Sequence, residues 1–341
     1  MTVLGILWFI LIAVLIAGYF VLDGFDLGSG VLSPFVAKTE KEKAIVRRAI
    51  GPTWDGNEVW LLTAGGALFA AFAPAYATTF SGFYLAIMLV LFGLIVRAVS
   101  LEYRSHDSKW GKVWDALFFL GSLLPALLFG VAIGNVLAGI PMNANGDYIG
   151  IPLLGLVTPF TLLCGLLGLS LILTQGATWI ALKAPKPSDL QNRAARLRRP
   201  LAVVSVVLFA VLSVYTFVGI KPAMDPTLDA LRWIAAALFA VALIFVLVKG
   251  SADSESDLTV FIASSASAVF LIVLFAASMF PNLVVATVGA NITIATAASS
   301  DLALGWMTGI TAVGLPLVLI YHVLIYRTFR GRITAEDAEE Y

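Results

Sequence analysis

Long apolar runs separated by short polar links dominate this 341-residue chain. A bilayer core about 30 Å thick is crossed by roughly 20 apolar residues in a helix. By that measure the pattern predicts about nine spanning helices, over 3–22, 56–73, 79–98, 114–137, 152–182, 201–220, 230–248, 258–280 and 302–326. The first can continue as helix past Asp26 towards Val36, and the fifth is long enough to tilt or to leave the bilayer. The expectation is an all-α polytopic membrane protein with a single integral domain over 1–341. A first bundle over 1–150 would carry the acidic motifs, with a second bundle and the final helix over 151–341.

Basic residues test the span count. Lys38, Lys41, Lys43, Arg47 and Arg48 follow segment one, and Arg97, Arg104, Lys109 and Lys112 follow or end segment three. Lys183, Lys186, Arg193, Arg196, Arg198 and Arg199 follow segment five, Lys249 follows segment seven, and Arg327, Arg330 and Arg332 follow segment nine. All but Lys221 and Arg232 of the 21 Lys and Arg thus fall on one side. Basic links mark the cytoplasmic face, so the N-terminus is expected outside and the C-terminus in the cytoplasm. The basic link 183–200 is a candidate contact for anionic lipid heads, although the ordinary positive-inside signal explains it equally. The outer links 138–151 and 281–301 lack Lys and Arg; the second reads as a surface cap or a short interfacial segment. The apolar N-terminus has no basic region ahead of it, so the first segment is expected to be retained as a span.

Composition agrees. The chain is 60% hydrophobic and 12% charged, against about 25% charged in soluble domains. Its formal net charge is zero, which gives no field to attract nucleic acid. The lone Cys164 reads as a small buried hydrophobe.

The candidate chemistry is carboxylate. A charge in hydrocarbon costs roughly 2.5–3.5 kcal/mol on insertion scales, yet Asp23 and Asp26, and again Asp55 and Glu58, stand at or within apolar segments. Each pair is spaced i, i+3 and so shares a helix face. The two pairs lie at adjacent ends of segments one and two, where four carboxylates can converge and hold or pass protons. Capping of a helix N-terminus and salt bridging to Arg47, Arg48 or Arg97 are the competing uses. Gly24 and Gly28 form a small-xxx-small pattern, continued by Ser29 and Gly30, that admits close helix packing. Trp54 and Trp60 flank the second acidic pair, with Asn57 between them; they are candidates for a belt, an interface or a quinone-tail groove. Thr174, Gln175 and Thr178 at membrane depth are expected to bridge helices. Only two histidines occur, His106 and His322. A haem needs axial His, Met or Cys, which leaves His322 with a Met as the sole candidate pair; no metal site is expected. No P-loop or dinucleotide fingerprint is present.

Taken together, Asp23-Gly24-Phe25-Asp26-Leu27-Gly28, Trp54-Asp55-Gly56-Asn57-Glu58-Val59-Trp60-Leu61, the run Thr63 to Ala71, Phe80-Ser81-Gly82-Phe83-Tyr84, Thr174-Gln175-Gly176-Ala177-Thr178 and Gly331-Arg332-Ile333-Thr334 resemble subunit II of the cytochrome bd-type quinol oxidases. The resemblance implies nine spanning helices arranged as two four-helix bundles plus a peripheral helix. It implies partnership with a subunit I holding two b-type haems and one d-type haem, and with quinol and membrane lipid; a small accessory subunit and a structural quinone are compatible with it. This chain would bind no haem alone and would sit in a prokaryotic plasma membrane. It would belong to an enzyme that oxidises quinol and reduces oxygen to water, with protons drawn from the cytoplasm. By that resemblance Asp55 matches the aspartate that the family uses in its proton path, Trp54 the indole next to it, and Asp26 the second aspartate of the family's Asp-Gly-Phe-Asp block. Glu58 and Asp23 join them as proton-path candidates. Thr53 stands where some relatives have His, so a route through that imidazole is absent here.

Two other readings compete. An ion-coupled secondary transporter would use the same carboxylates at a substrate site, ordinarily near the midplane of inverted repeats. A purely structural scaffold would need them only for assembly.

Overall fold

The computed structural model describes residues 1–107, 109–220, 224–252 and 256–334. Lys221 therefore lies outside the described residues. Helix α1 (Val3–Leu22) runs through Asp23 into α2 (Gly24–Val36) as one span of 34 residues. After it come α3 (Glu40–Ile50), α4 (Trp54–Ala71), α5 (Ala73–Gly82), α6 (Tyr84–Tyr103) and α7 (Gly111–Ala138). The second half contains α8 (Pro159–Lys183), α9 (Asp189–Tyr215), α10 (Asp229–Lys249), α11 (Asp257–Met279), the short α12 (Ile294–Ala297) and α13 (Asp301–Thr328). Among the described residues, eight helices are long and apolar enough to cross a membrane. The ninth expected segment is α4, whose polar first turn dilutes an otherwise apolar helix.

Helices α1–α2, α4, α6 and α7 pack as one bundle and α8 to α11 as the other. Helix α13 is peripheral, resting on α1 and α4 with 6% of its span buried. The expected architecture is the observed one, with three boundaries moved. Segment three is broken at Phe83, where Thr79 and Ser81 return their hydroxyls to the Ala75 and Ala77 carbonyls at 2.7 Å; such back-bonding bends helices. Segment five starts at Pro159, not 152, because Thr158 caps the helix and Pro159 takes its first turn. The basic link 183–200 is mostly helix, since Ser188 caps α9 and the helix continues through Pro200.

The bundles meet where α2 crosses α8 with almost no side chain between the backbones, and α2 lies equally close to α7 within its own bundle. A Cβ on Gly28 would lie 2.1 Å from the Ile172 carbonyl oxygen, and one on Gly176 would lie 2.3 Å from the Gly28 carbonyl carbon. A Cβ on Gly30 would strike Ser122 Oγ at 2.0 Å. The small-residue pattern is thus a helix crossing, and the Thr174–Thr178 motif supplies its other half. Thr178 then bridges to Ser264 of α11 at 3.0 Å, and Trp179 Nε1 donates to the Ala49 carbonyl at 3.0 Å.

The two ends of the bundle differ. At one end the basic links interlock. Lys43 bridges Glu40 and Asp115 at 2.8 Å, Arg104 pairs with both, and Arg193 joins Glu42 while donating to the Val36 carbonyl. At the other end the links without Lys or Arg pair with each other. Gly139, at φ +92°, lets the chain leave α7 into β1 (Ile140–Pro141). β2 (Asn282–Val284) pairs antiparallel with β4 (Ile292–Thr293), and β3 (Ala286–Val288) pairs parallel with β1. With α12 these strands cover a core of Phe72, Ile140, Met142, Val284 and Ile294. Link 281–301 is therefore a cap.

Two outcomes are expected. Gly176→Leu, which drives a side chain into the α2 backbone, should destabilise the bundle by about 1–3 kcal/mol or more. Gly168→Ala, whose Cβ meets nothing nearer than 3.5 Å, should be neutral; thermal unfolding of the two variants in detergent compares them. The second outcome concerns pH at Glu42. Burial opposes its charge, but the Lys38 and Thr39 amides and the Arg193 guanidinium more than offset that, and its pKa falls below the usual glutamate value. A depressed folded pKa contributes stability above the unfolded value of about 4.3, lost as pH falls through the folded one. Unfolding temperature measured from pH 7 to 3 should fall less steeply in Glu42→Gln than in the parent.

Candidate functional site: a buried ion cluster

The break between α1 and α2 places Asp23 and Asp26 in the bundle interior, both fully buried. Arg97 reaches Asp23 from α6. Its guanidinium, 2% exposed, donates to Asp23 Oδ1 at 2.8 Å and also binds the Glu58 carboxylate of α4. One cation therefore ties α6 to the α1–α2 junction and to α4.

Asn57 completes the connection. Its Nδ2 donates to Asp26 Oδ2 at 2.7 Å and to the Leu22 carbonyl at 3.0 Å, while its Oδ1 accepts from the Tyr326 hydroxyl of α13 at 2.9 Å. The Leu22 carbonyl belongs to the last turn of α1, where helical acceptors lack intrahelical partners. Asp23 Oδ2, Asp26 Oδ1, Arg97 Nη1, Tyr19 Oη and both polar atoms of Gln175 are buried without a protein partner. Gln175 lies beside the same junction, since a Cβ on Gly24 would meet its Oε1 at 2.3 Å.

The structure thus brings together Asp23, Asp26 and Glu58 and leaves Asp55 apart. Asp55 is exposed on the first turn of α4, its Oδ1 accepting only from the adjacent Gly56 amide at 2.7 Å. Asp55 thus offers its carboxylate to one first-turn amide of α4, whereas Thr53 makes no side-chain cap. Salt bridging is realised as well, with Arg97 pairing to Asp23 and Glu58.

Trp60 packs on Gly18 and donates from Nε1 to His322 Nε2 at 3.2 Å. It also lines an apolar groove of about 470 Å³ between α1, α4 and α13, with Trp8, Val59, Ala67 and Met307. Trp54 instead packs against the cluster of Phe25, Ile50, Leu101 and Trp179. Of the three residues considered for a quinone or an interface, only Trp60 borders a groove, and Asn57 serves the ion cluster. Tyr326 and His322 were missed as members of the site because their partners lie more than 260 positions away.

The residues do not fit a haem. His322 accepts from Trp60 at Nε2, and its Nδ1 lies 2.9 Å from the Val318 carbonyl, so both nitrogens are engaged. His106 sits in an exposed link against Ser105 and Glu102. Among the described residues no group of three or more His, Cys, Asp or Glu could hold a metal.

Fold and site define a multi-pass helical membrane protein with a buried carboxylate–guanidinium cluster. Comparison with known proteins narrows this. The model of the cytochrome bd terminal oxidase subunit II family matches residues 4–329. The cytochrome bd-I ubiquinol oxidase subunit 2 of Escherichia coli K12 is 35% identical, over 99% of this chain and 97% of that protein. The cytochrome bd ubiquinol oxidase subunit 2 of Bacillus subtilis 168 is also 35% identical, over 98% of each. A bd oxidase structure from Geobacillus thermodenitrificans superposes with a TM-score of 0.74 at 17% identity, covering 96% of this chain and 99% of that one, and so shares the fold. The chain belongs to the cytochrome bd terminal oxidase subunit II family, and the transporter reading has no support.

Arg97→Gln should be severe. Removing one partner of a buried ion pair costs about 3–5 kcal/mol, because the other charges stay buried uncompensated. The double variant Arg97→Gln/Asp23→Asn should recover part of that loss in a thermal unfolding measurement. A single variant as stable as the parent would mean that the pairs contribute nothing.

Proposed function

We propose that this chain is the haem-free subunit of a quinol:oxygen oxidoreductase in a bacterial plasma membrane, and that its buried carboxyls supply protons to the complex. Full-length family membership supports the first part. The observation that carries the second is two carboxylates, Asp23 and Glu58, sharing the Arg97 guanidinium, with a third carboxyl, Asp26, buried one turn from Asp23 and held by Asn57. Ionisable residues within a membrane bundle are the usual members of proton relays, and here the carboxyls outnumber the cation that faces them.

The residues take distinct parts. Asp55, exposed at the start of α4, takes up a proton from water. Glu58, one turn on, passes it towards Asp23, with Arg97 holding both carboxylates in place. Asp26 is the inner member, its orientation set by Asn57, which Tyr326 orients in turn. Trp54 braces the α3–α4 end, and Trp60 borders the groove that would take the tail of a structural quinone. The orphaned atoms of Tyr19, Asp23, Asp26 and Gln175 mark where ordered water would complete the route.

The partner would be subunit I, to which the two b-type haems and the d-type haem are assigned, with quinol oxidised there near the outer face. A small accessory subunit and bound membrane lipid are compatible with the exposed apolar surface. The N-terminus would lie outside and the basic face in the cytoplasm, as the Lys and Arg distribution suggests. The chain would act as one integral domain, its first bundle within 1–150 carrying the acidic site and its second within 151–341. That reading is supported by α2 bridging both bundles.

Asp55→Asn and Asp26→Asn, each in the assembled oxidase, should slow oxygen consumption per haem by about 10-fold to 100-fold with haem absorbance near normal. Oxygen-electrode rates normalised to the visible spectrum measure this. Normal turnover at full haem content would exclude the substituted residue from the path. Lost assembly with normal turnover per assembled complex would favour the scaffold reading.

A further inference from the structure

The segment after α13 folds back across the basic end of α8. Ile333 N donates to the Lys183 carbonyl at 2.8 Å, and Lys183 Nζ donates to the Phe329 carbonyl at 2.6 Å. Arg332 donates to the Ala181 and Ala184 carbonyls at 2.9 and 2.7 Å, closing the end of α8. Its other nitrogen binds Asp257 at 2.6 Å, and that carboxylate also takes buried Arg198 at 2.7 Å. The tail is thus fastened on both sides of the α8 terminus.

This strap walls a cavity of about 170 Å³ whose far side is the α3 end at Arg48, the Thr53 link, Trp179 and Tyr326. Four cations line it, Arg48, Lys183, Arg330 and Arg332, and among the described residues no carboxylate does. Asp257 offsets Arg332 and Arg198 from outside the lining. Lys183 is 8% exposed. Its ammonium lies 4.9 Å from the Trp179 ring centroid and has three N–H donors, of which the Phe329 carbonyl takes one. Arg330 makes no hydrogen bond or ion pair among the described residues. Placing Lys183 and Arg330 together in a partly buried hollow is unfavourable unless something anionic offsets them.

We propose that this cavity binds a phosphate-class anion, either the headgroup of an anionic phospholipid or free phosphate, with Lys183 and Arg330 as its principal donors. The volume is below that of ordinary ligand pockets, about 300–1,000 Å³, and suits a phosphate ester. The site opens beside α13, whose apolar surface is almost wholly exposed and can carry acyl chains, and basic pockets at helix ends are where such headgroups bind. The site stands or falls separately from the proton route.

The test uses the whole detergent-purified oxidase complex, stripped of lipid and then offered either phosphatidylglycerol in mixed micelles or inorganic phosphate. Native mass spectrometry counts what is retained. The parent should keep one anion that Arg330→Ala holds about tenfold less well, the loss of one charge-assisted contact. Lys183→Gln, which preserves a donor for the Phe329 carbonyl, should lose it further. Arg199→Ala, a basic residue outside the cavity, should match the parent. Retention of phosphatidylglycerol identifies a lipid headgroup; retention of phosphate without lipid identifies the free ion; either supports the site. Equal occupancy in the parent and Arg330→Ala, or no anion retained by any form, overturns it. Arg330 is exposed, so its variant gives the reading even if Lys183→Gln fails to assemble.

Discussion

A guanidinium with 2% exposure in the middle of an apolar bundle sets the terms for everything around it. Its desolvation is offset only if carboxylates meet it with good geometry. Asp23 and Glu58 do so from two different helices, so the α1–α2 junction, α4 and α6 have to hold one arrangement. The junction itself depends on small residues. Gly24, Gly28 and Gly176 let α2 and α8 touch backbone to backbone, which shields Asp26 from lipid without bulky side chains displacing it. Charge burial and close packing are therefore one device here: neither the ion cluster nor the crossing has a reason to be placed where it is without the other.

The cluster also fixes α13, which is otherwise nearly unpacked. Two polar contacts hold its basic half, Tyr326 to Asn57 and His322 to Trp60. Both originate on α4, the same helix that supplies Glu58. A helix with little apolar burial is thus positioned through the polar residues of the site, and its outward face stays free of this chain. Such a large exposed apolar surface is expected of a membrane subunit that meets lipid and another subunit.

Most of this was legible in the chain. Apolar length predicted the spans, and the basic residues sorted the links into two groups that the structure places at opposite ends. The glycine spacing identified the α2 crossing. The acidic cluster was legible only in part. Equal i, i+3 spacing suggested that Asp55 would follow Glu58 inward, but side chains lean towards a helix N-terminus. Glu58 therefore drops back to the level of Arg97, whereas Asp55 leans off the end of α4. The Asp257, Arg198 and Arg332 group was not legible at all. Its members come from three distant segments, 59 and 75 positions apart, and each alone looks like an ordinary flanking charge.

The cationic cavity and the buried cluster share a residue. Tyr326 lines the cavity with one part of its side chain while its hydroxyl donates to Asn57, whose amide holds Asp26. Two hydrogen bonds therefore separate the basic surface from the inner carboxyl, and neither involves a charged donor. That spacing matters physically. Cations placed directly against Asp26 would hold it as a tight ion pair, as Arg97 holds Asp23. A neutral amide and a phenol orient the carboxyl while leaving one of its oxygens without a protein partner. Asp26 is thus the member of the cluster least committed to a counter-ion, and what keeps it so is Asn57, standing where a basic residue could have stood.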